Sequence, residues 1–164
     1  MSDRYLGKFE GVVVDNKDPD GLCRLEVSVP ALMKQPFRNC RPALPYAGPG
    51  AGLAVVPPIG ASVWVEWPGG DLGKDAIWTG AWWPPGQKGL DKAGPNTLVL
   101  VTPGGHRIEV SDDTGSITLS THGGASISIG KDSIVLKNGQ GATIELNGST
   151  IALNDNAFQV NGDG

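Results

Sequence analysis

From Asn96 onward the chain repeats one small device: two large apolar residues two positions apart, followed by a short polar turn. The pairs are Leu98/Leu100, Ile108/Val110, Ile117/Leu119, Ile127/Ile129, Ile134/Leu136, Ile144/Leu146, Ile151/Leu153 and Phe158/Val160. Their first members stand 10, 9, 10, 7, 10, 7 and 7 residues apart. A spacing of two puts both side chains of a pair on one face of a β-strand. The residues between pairs, such as Asn138-Gly139, Asn147-Gly148 and Asn154-Asp155, are turn formers. A strand with two large aliphatic side chains cannot bury its own edge. Roughly 65 residues of this kind also give a single-chain solenoid too little core. The units must therefore stack on their neighbours, on other chains, or on both. Three copies wound about one axis would meet apolar edge to apolar edge. That arrangement is preferred to a single-chain β-helix or a small meander. The pairs from Ile108/Val110 through Phe158/Val160 are its expected core.

The first half differs in texture. Residues 1–85 hold all five Trp and eleven of the thirteen Pro, whereas residues 96–164 have no Trp or Tyr and only Pro103. Tyr5 to Val14 reads as a strand closed by the turn-rich Asp15-Asn16-Lys17-Asp18-Pro19-Asp20-Gly21. Leu22 to Val29 alternates Leu25, Val27 and Val29 against Arg24, Glu26 and Ser28, and Pro30 ends it. Ala31 to Gly52 reads as a long Pro-broken connection with room for one helical turn. Ser62 to Trp67 and Asp75 to Trp82 are two further strands. Short strands with long loops suit a small closed barrel. The Pro/Gly/Lys run from Pro84 to Pro95 reads as a linker. The expected organisation is thus all-β: a barrel over 1–83, a linker over 84–95 and a repetitive shaft over 96–164.

Charge narrows the function. Residues 1–95 carry ten Lys/Arg against ten Asp/Glu, so the whole net charge of −4 lies in residues 96–164. A nucleic-acid binder would show a basic face, and none is written here. Cys23 and Cys40 match no metal or redox spacing and read as partly buried thiols of a protein made in the cytoplasm. No apolar run is long enough for a transmembrane helix. Met1 to Glu10 has no apolar stretch of a secretory signal, so assembly in the cytoplasm is expected.

Four segments carry a resemblance. Tyr5-Leu6-Gly7-Lys8-Phe9-Glu10-Gly11-Val12-Val13-Val14-Asp15-Asn16-Lys17-Asp18-Pro19 resembles the opening strand and loop of the OB domain in phage baseplate protein V and the type VI secretion spike proteins. Leu22 to Pro30, Pro57 to Trp67, and Gly69-Gly70-Asp71 followed by Ala76-Ile77-Trp78-Thr79-Gly80 resemble its later segments, in the right order. The resemblance implies a homotrimeric spike without enzymatic activity, from a contractile phage tail or related injection system. In it, an OB-fold collar docks into a ring-shaped hub protein. A triple-stranded, intertwined β-helix points toward the target cell envelope. No lysozyme domain stands between barrel and shaft. The only histidines are His106 and His122, so the His-x-His iron site at the tip of some relatives is missing. A separate tip protein of the PAAR-repeat kind is therefore expected, contacting Phe158, Val160 and Asn161.

Motifs for other chemistry are incomplete. Asp15, Asp18 and Asp20 resemble the start of a calcium loop, but Asp20 stands where the loop needs Gly, and Glu26 lies on a strand. Thr102-Pro103-Gly104-Gly105-His106 lacks a Walker lysine and reads as a turn. His106 with Asp112 or Asp113 and Ser111 or Ser116 supplies hydrolase residue types, yet no nucleophile elbow frames a serine. No catalytic residue, cofactor or metal site is expected. Among the tryptophans, Trp67 shares a face with Val63 and Val65 and should be core. Trp64 points outward and suits a subunit contact, and Trp82-Trp83 would pack at the base of the collar. The rival reading is an OB-fold binding module that stacks glycan or single-stranded nucleic acid on these rings.

Overall fold

The computed structural model describes residues 4–155 and 157–161, and the chain divides into two compact units, Met1–Lys88 and Gly89–Gly164. In the first, β1 (Phe9–Asp15), β2 (Leu25–Ser28), β3 (Phe37–Pro42), β6 (Ser62–Glu66) and β7 (Ile77–Trp82) close a five-stranded barrel of order β1-β2-β3-β7-β6. A two-residue hairpin, β4 (Ala47–Gly48) and β5 (Ala51–Gly52), stands between β3 and β6. Every neighbouring pair is antiparallel except β3 and β7, which run parallel. This is an OB-type closure, and it leaves no sheet edge on the barrel.

Alternation builds the core. Val13, Leu25, Val27, Val29, Cys40, Val63 and Val65 are fully buried, with Trp67, Ala76 and Trp78 beside them. Each buried Val or Leu contributes about 1.5–3 kcal/mol of transfer free energy. Gly11 sits where the walls close: a Cβ there would lie 2.5 Å from Val27 Cγ1 and 3.0 Å from Val65 Cγ2. Phe9 and Phe37 each pack on Trp67 in a T-shaped pair, and buried Trp78 donates from Nε1 to the Cys23 carbonyl, 3.1 Å away. Burial pushes the Cys40 thiol up to about 12.

The connection expected over Ala31 to Gly52 is not strand-free: it contains β3 and the β4–β5 hairpin. Strand β3 reads Phe-Arg-Asn-Cys-Arg-Pro, with one fully buried side chain, Cys40, and a left-handed Asn39 at φ 56°. No period-2 pattern survives such a bulge. The first strand begins at Phe9 rather than Tyr5, and β2 begins at Leu25 rather than Leu22, because Cys23 takes φ 59°.

The second unit is one eight-stranded antiparallel sheet. Its strands are β8 (Thr97–Val101), β9 (Arg107–Ser111), β10 (Ser116–Ser120), β11 (Ser126–Ile129), β12 (Ser133–Lys137), β13 (Thr143–Asn147), β14 (Thr150–Leu153) and β15 (Phe158–Asn161). Spatial order follows sequence order, so each strand pairs with its chain neighbours. The lateral hydrogen bonds of the repeat are accordingly made within one chain.

Candidate functional site: an unpartnered aliphatic face

The register aligns the apolar pairs into two ladders on one face of the sheet. Leu98, Val110, Ile117, Ile129, Ile134, Leu146, Ile151 and Val160 stand opposite one another strand by strand. Leu100, Ile108, Leu119, Ile127, Leu136, Ile144, Leu153 and Phe158 form the second ladder beside them. With strands about 4.8 Å apart, each ladder runs roughly 34 Å. The other face carries Val99, Glu109, Thr118, Ser128, Val135, Glu145 and Ala152 between rows of Ser, Thr, Asn and charged residues. One face is thus almost wholly aliphatic and the other mainly polar.

In the isolated chain this aliphatic face is open. Fourteen of its sixteen side chains are exposed, most near Ile117 at 42% and Ile144 at 41%, so the strands have not buried their own repeat. A shallow trough of about 550 Å³ runs along it over Leu100, Ile108, Leu119, Ile127 and Leu136. A continuous apolar surface of this extent marks an association face. Covering each side chain removes apolar area worth roughly 1 kcal/mol or more, repeated along two ladders in every copy.

The edges of the sheet are built differently from its face. On one edge, three five-residue turns share a pattern: Thr102–His106, Thr121–Ala125 and Asn138–Ala142. In each, the first residue's side-chain oxygen accepts the fifth residue's N–H, at 3.1, 3.2 and 3.0 Å. Asp112 and Asp113 lie in the β9–β10 turn on the opposite edge, and the five residues of β9, about 17 Å of strand, separate them from His106. The structure therefore does not bring the hydrolase residue types together. Ahead of β8, the chain is tied to the mainly polar face: Lys92 Nζ donates to Glu109 at 3.2 Å, and Arg107 donates to the Asp91 carbonyl at 2.9 Å. Burial pushes the Glu109 carboxyl up, but hydrogen bonds from Arg107 and Lys92 outweigh it and hold the group below the usual range.

In the barrel, the acidic loop after β1 is organised by a cation. Asp18 accepts from Arg24 Nε at 3.0 Å and Nη2 at 2.6 Å, and from the backbone N–H groups of Leu22 and Arg24. Asp20 also pairs with Arg24. This clamp was not foreseen, although Arg24 six residues beyond Asp18 was its visible signal. Trp67 lies in the core as expected. Trp64 points outward and stacks on Trp82, with ring centroids 4.2 Å apart, and Trp83 is exposed. Of the expected tip residues, Phe158 and Val160 end the two ladders and Asn161 pairs with Thr150. Residues 162–164 lie outside the described residues. Among the described residues, no helix is long and apolar enough to cross a membrane.

The same division appears in comparison with known families. The model of the type VI secretion system/phage-baseplate injector OB domain matches residues 9–83. That of the phage baseplate V C-terminal trimerisation domain matches residues 97–159, the sheet with the open aliphatic face. No curated protein matches the chain. With an OB barrel and a trimerisation sheet in this order, the chain belongs to the phage baseplate V family, the homotrimeric structural spike proteins of phage baseplates and type VI secretion systems.

Proposed function

We propose that this protein is the central spike that a contractile tail or related injection machine drives through the target cell envelope, and that it works mechanically rather than as an enzyme. The observation that carries the reading is the pair of aliphatic ladders on one face of the sheet. Three such faces turned inward bury both ladders and leave three mainly polar faces outside. The trimer core is then Ile108, Val110, Ile117, Leu119, Ile127, Ile129, Ile134, Leu136, Ile144, Leu146, Ile151, Leu153, Phe158 and Val160. Backbone hydrogen bonds between successive strands resist lateral opening under axial load, and the dry centre resists separation of the chains. The barrel, residues 1–83, is the collar that seats in a ring-shaped hub, and residues 84–95 join it to the shaft, residues 96–164. A PAAR-type tip protein caps the Phe158/Val160 end.

The test is made on native particles. Removing the chain from a producing cell is expected to give tails without central density at the baseplate, or no tails at all, and no permeabilisation of target cells. Particles that keep full central density and still permeabilise the target would overturn the reading. The binding-module alternative draws support only from the exposed Trp83 and the half-buried, stacked Trp64 and Trp82, and the balanced charge of residues 1–95 weighs against nucleic acid.

A further inference from the structure

The barrel carries a segment whose middle its core does not use. Twenty residues from Pro42 to Ala61 contain no charged side chain, and Tyr46 alone has a polar one. The segment leaves the end of β3, forms the β4–β5 hairpin and returns to β6. Leu44 and Ala61 touch the core, but the middle of the segment is exposed: Tyr46, Leu53, Val55 and Ile59 are each about half open to solvent. A surface arm of this length ordinarily carries charge to stay soluble.

A second apolar patch lies on the outer wall of the same barrel. Val12 stands opposite Ser62, and Ser62 stands opposite Trp82, so the three form one row across β1, β6 and β7. Trp64 stacks on Trp82 beside that row, and Val14 extends it along β1. Ser62 is itself buried although its strand turns it outward.

Symmetry gives these two patches a use. In a cyclic trimer every interface is heterologous, so each protomer must present two different, complementary surfaces. Each barrel is also covalently joined to a trimerisation sheet, which holds the other two barrels at an effective concentration on the order of millimolar. The neighbouring barrel is therefore the first apolar surface the arm meets.

We propose that the charge-free arm of each protomer lies across the Val12/Trp64/Trp82 wall of the next, so that three arms clasp three barrels in a closed ring. The clasp rests on the homotrimer and adds to it a second, independent set of interchain contacts. It assigns Tyr46, Leu53 and Val55 as interchain residues, with Trp64 and Trp82 as their receiving surface.

The experiment is site-specific photo-cross-linking in the full-length chain. A benzophenone amino acid replaces Tyr46, and light scattering first establishes the mass of the particle irradiated. Trimers co-assembled from light- and heavy-nitrogen chains are expected to yield covalently joined chains on a denaturing gel. The linked peptides should be of mixed isotope and map to β1, β6 or β7. The same probe in place of exposed Lys74 should join no chains. Trp64→Ala should lower the Tyr46 cross-link yield several-fold while the trimer persists. A proven trimer whose Tyr46 probe links only within its own chain, or whose yield ignores Trp64→Ala, overturns the clasp and leaves the homotrimer standing. A chain that is monomeric in solution overturns both.

Discussion

The Asp18 carboxylate is nearly enclosed, with 5% of its side chain exposed, and takes hydrogen bonds from the Arg24 guanidinium and from the backbone N–H groups of Asp20, Leu22 and Arg24 in the β1–β2 connection. The side-chain and backbone hydrogen bonds of Arg24 hold its carboxyl well below the usual carboxylate range. Because the folded-state pKa is depressed, the ionised form favours folding. That contribution is complete above the unfolded pKa of about 4 and fades as the pH falls through the folded value. Asp18→Asn keeps the size of the side chain but loses the charge. It is expected to lower the melting temperature of the barrel at pH 7, and the gap between variant and native protein should narrow at pH 3. Thermal unfolding of residues 1–95 at the two pH values, followed by tryptophan fluorescence, measures both. An equal gap at pH 3 and pH 7 would mean that Asp18 acts through shape alone. Glu109 follows the same sign, since Arg107 and Lys92 stabilise its ionised form against the cost of burial.

At the level of the element, the edge turns decide how closely successive hairpins stack. Gly139 sits at φ 77°, and a Cβ on it would lie 2.6 Å from the Gly123 carbonyl oxygen and 2.8 Å from the Ala125 N–H nitrogen. Both obstacles are backbone, so neither can swing aside. Gly139→Ala combines a left-handed conformation with a clash and should cost about 1–3 kcal/mol per chain. A clear drop in the calorimetric melting temperature checks it, with Gly141→Ala as a comparison: it has φ 103° but nothing within 4 Å of its Cβ. Such stacking was not legible in the sequence, since spacing cannot say which turn lies against which. The ladders were legible, because strict alternation between turn formers leaves a strand one apolar face whatever its partners. What alternation could not supply was the pairing order. The same residues fit an intrachain meander or interchain strands, and the register shows each strand bonded to its own neighbours. Strand β3 escaped for the opposite reason. Its bulge at Asn39 and its single buried Cys40 leave no period to read, and it is held in the barrel by β2 and β7 on either side. The Pro42–Ala61 arm was visible as a charge-free stretch, but only its exposure on a closed barrel gives that composition a meaning.

For the whole molecule, the two faces of the sheet make opposite demands on one substitution. Ile144 lies in the second ladder between Leu136 and Leu153, on the face that three chains are proposed to share. Ser128 lies on the opposite face between Thr118 and Val135. An aspartate at Ile144 would bring three carboxylates toward one axis in a dry interior. Each would be desolvated and repelled by the other two, so assembly must either exclude them or hold them protonated. Ser128→Asp places the same charge on the mainly polar face, where water solvates it. Ile144→Asp is therefore expected to abolish the trimer at pH 7, and Ser128→Asp to leave its mass unchanged. Lowering the pH toward 4 should recover part of the Ile144→Asp trimer, because protonation removes the repulsion while the polar hydroxyl still disfavours burial. Light scattering behind a sizing column reads all three cases. A full-mass trimer from Ile144→Asp at pH 7 would place the ladder outside the core, and loss of the trimer in Ser128→Asp would mean that the opposite face is the buried one. The pairing of the two variants matters because a single failed assembly could reflect misfolding of the sheet. Opposite outcomes, together with recovery of the Ile144→Asp trimer near pH 4, report which face the three chains share.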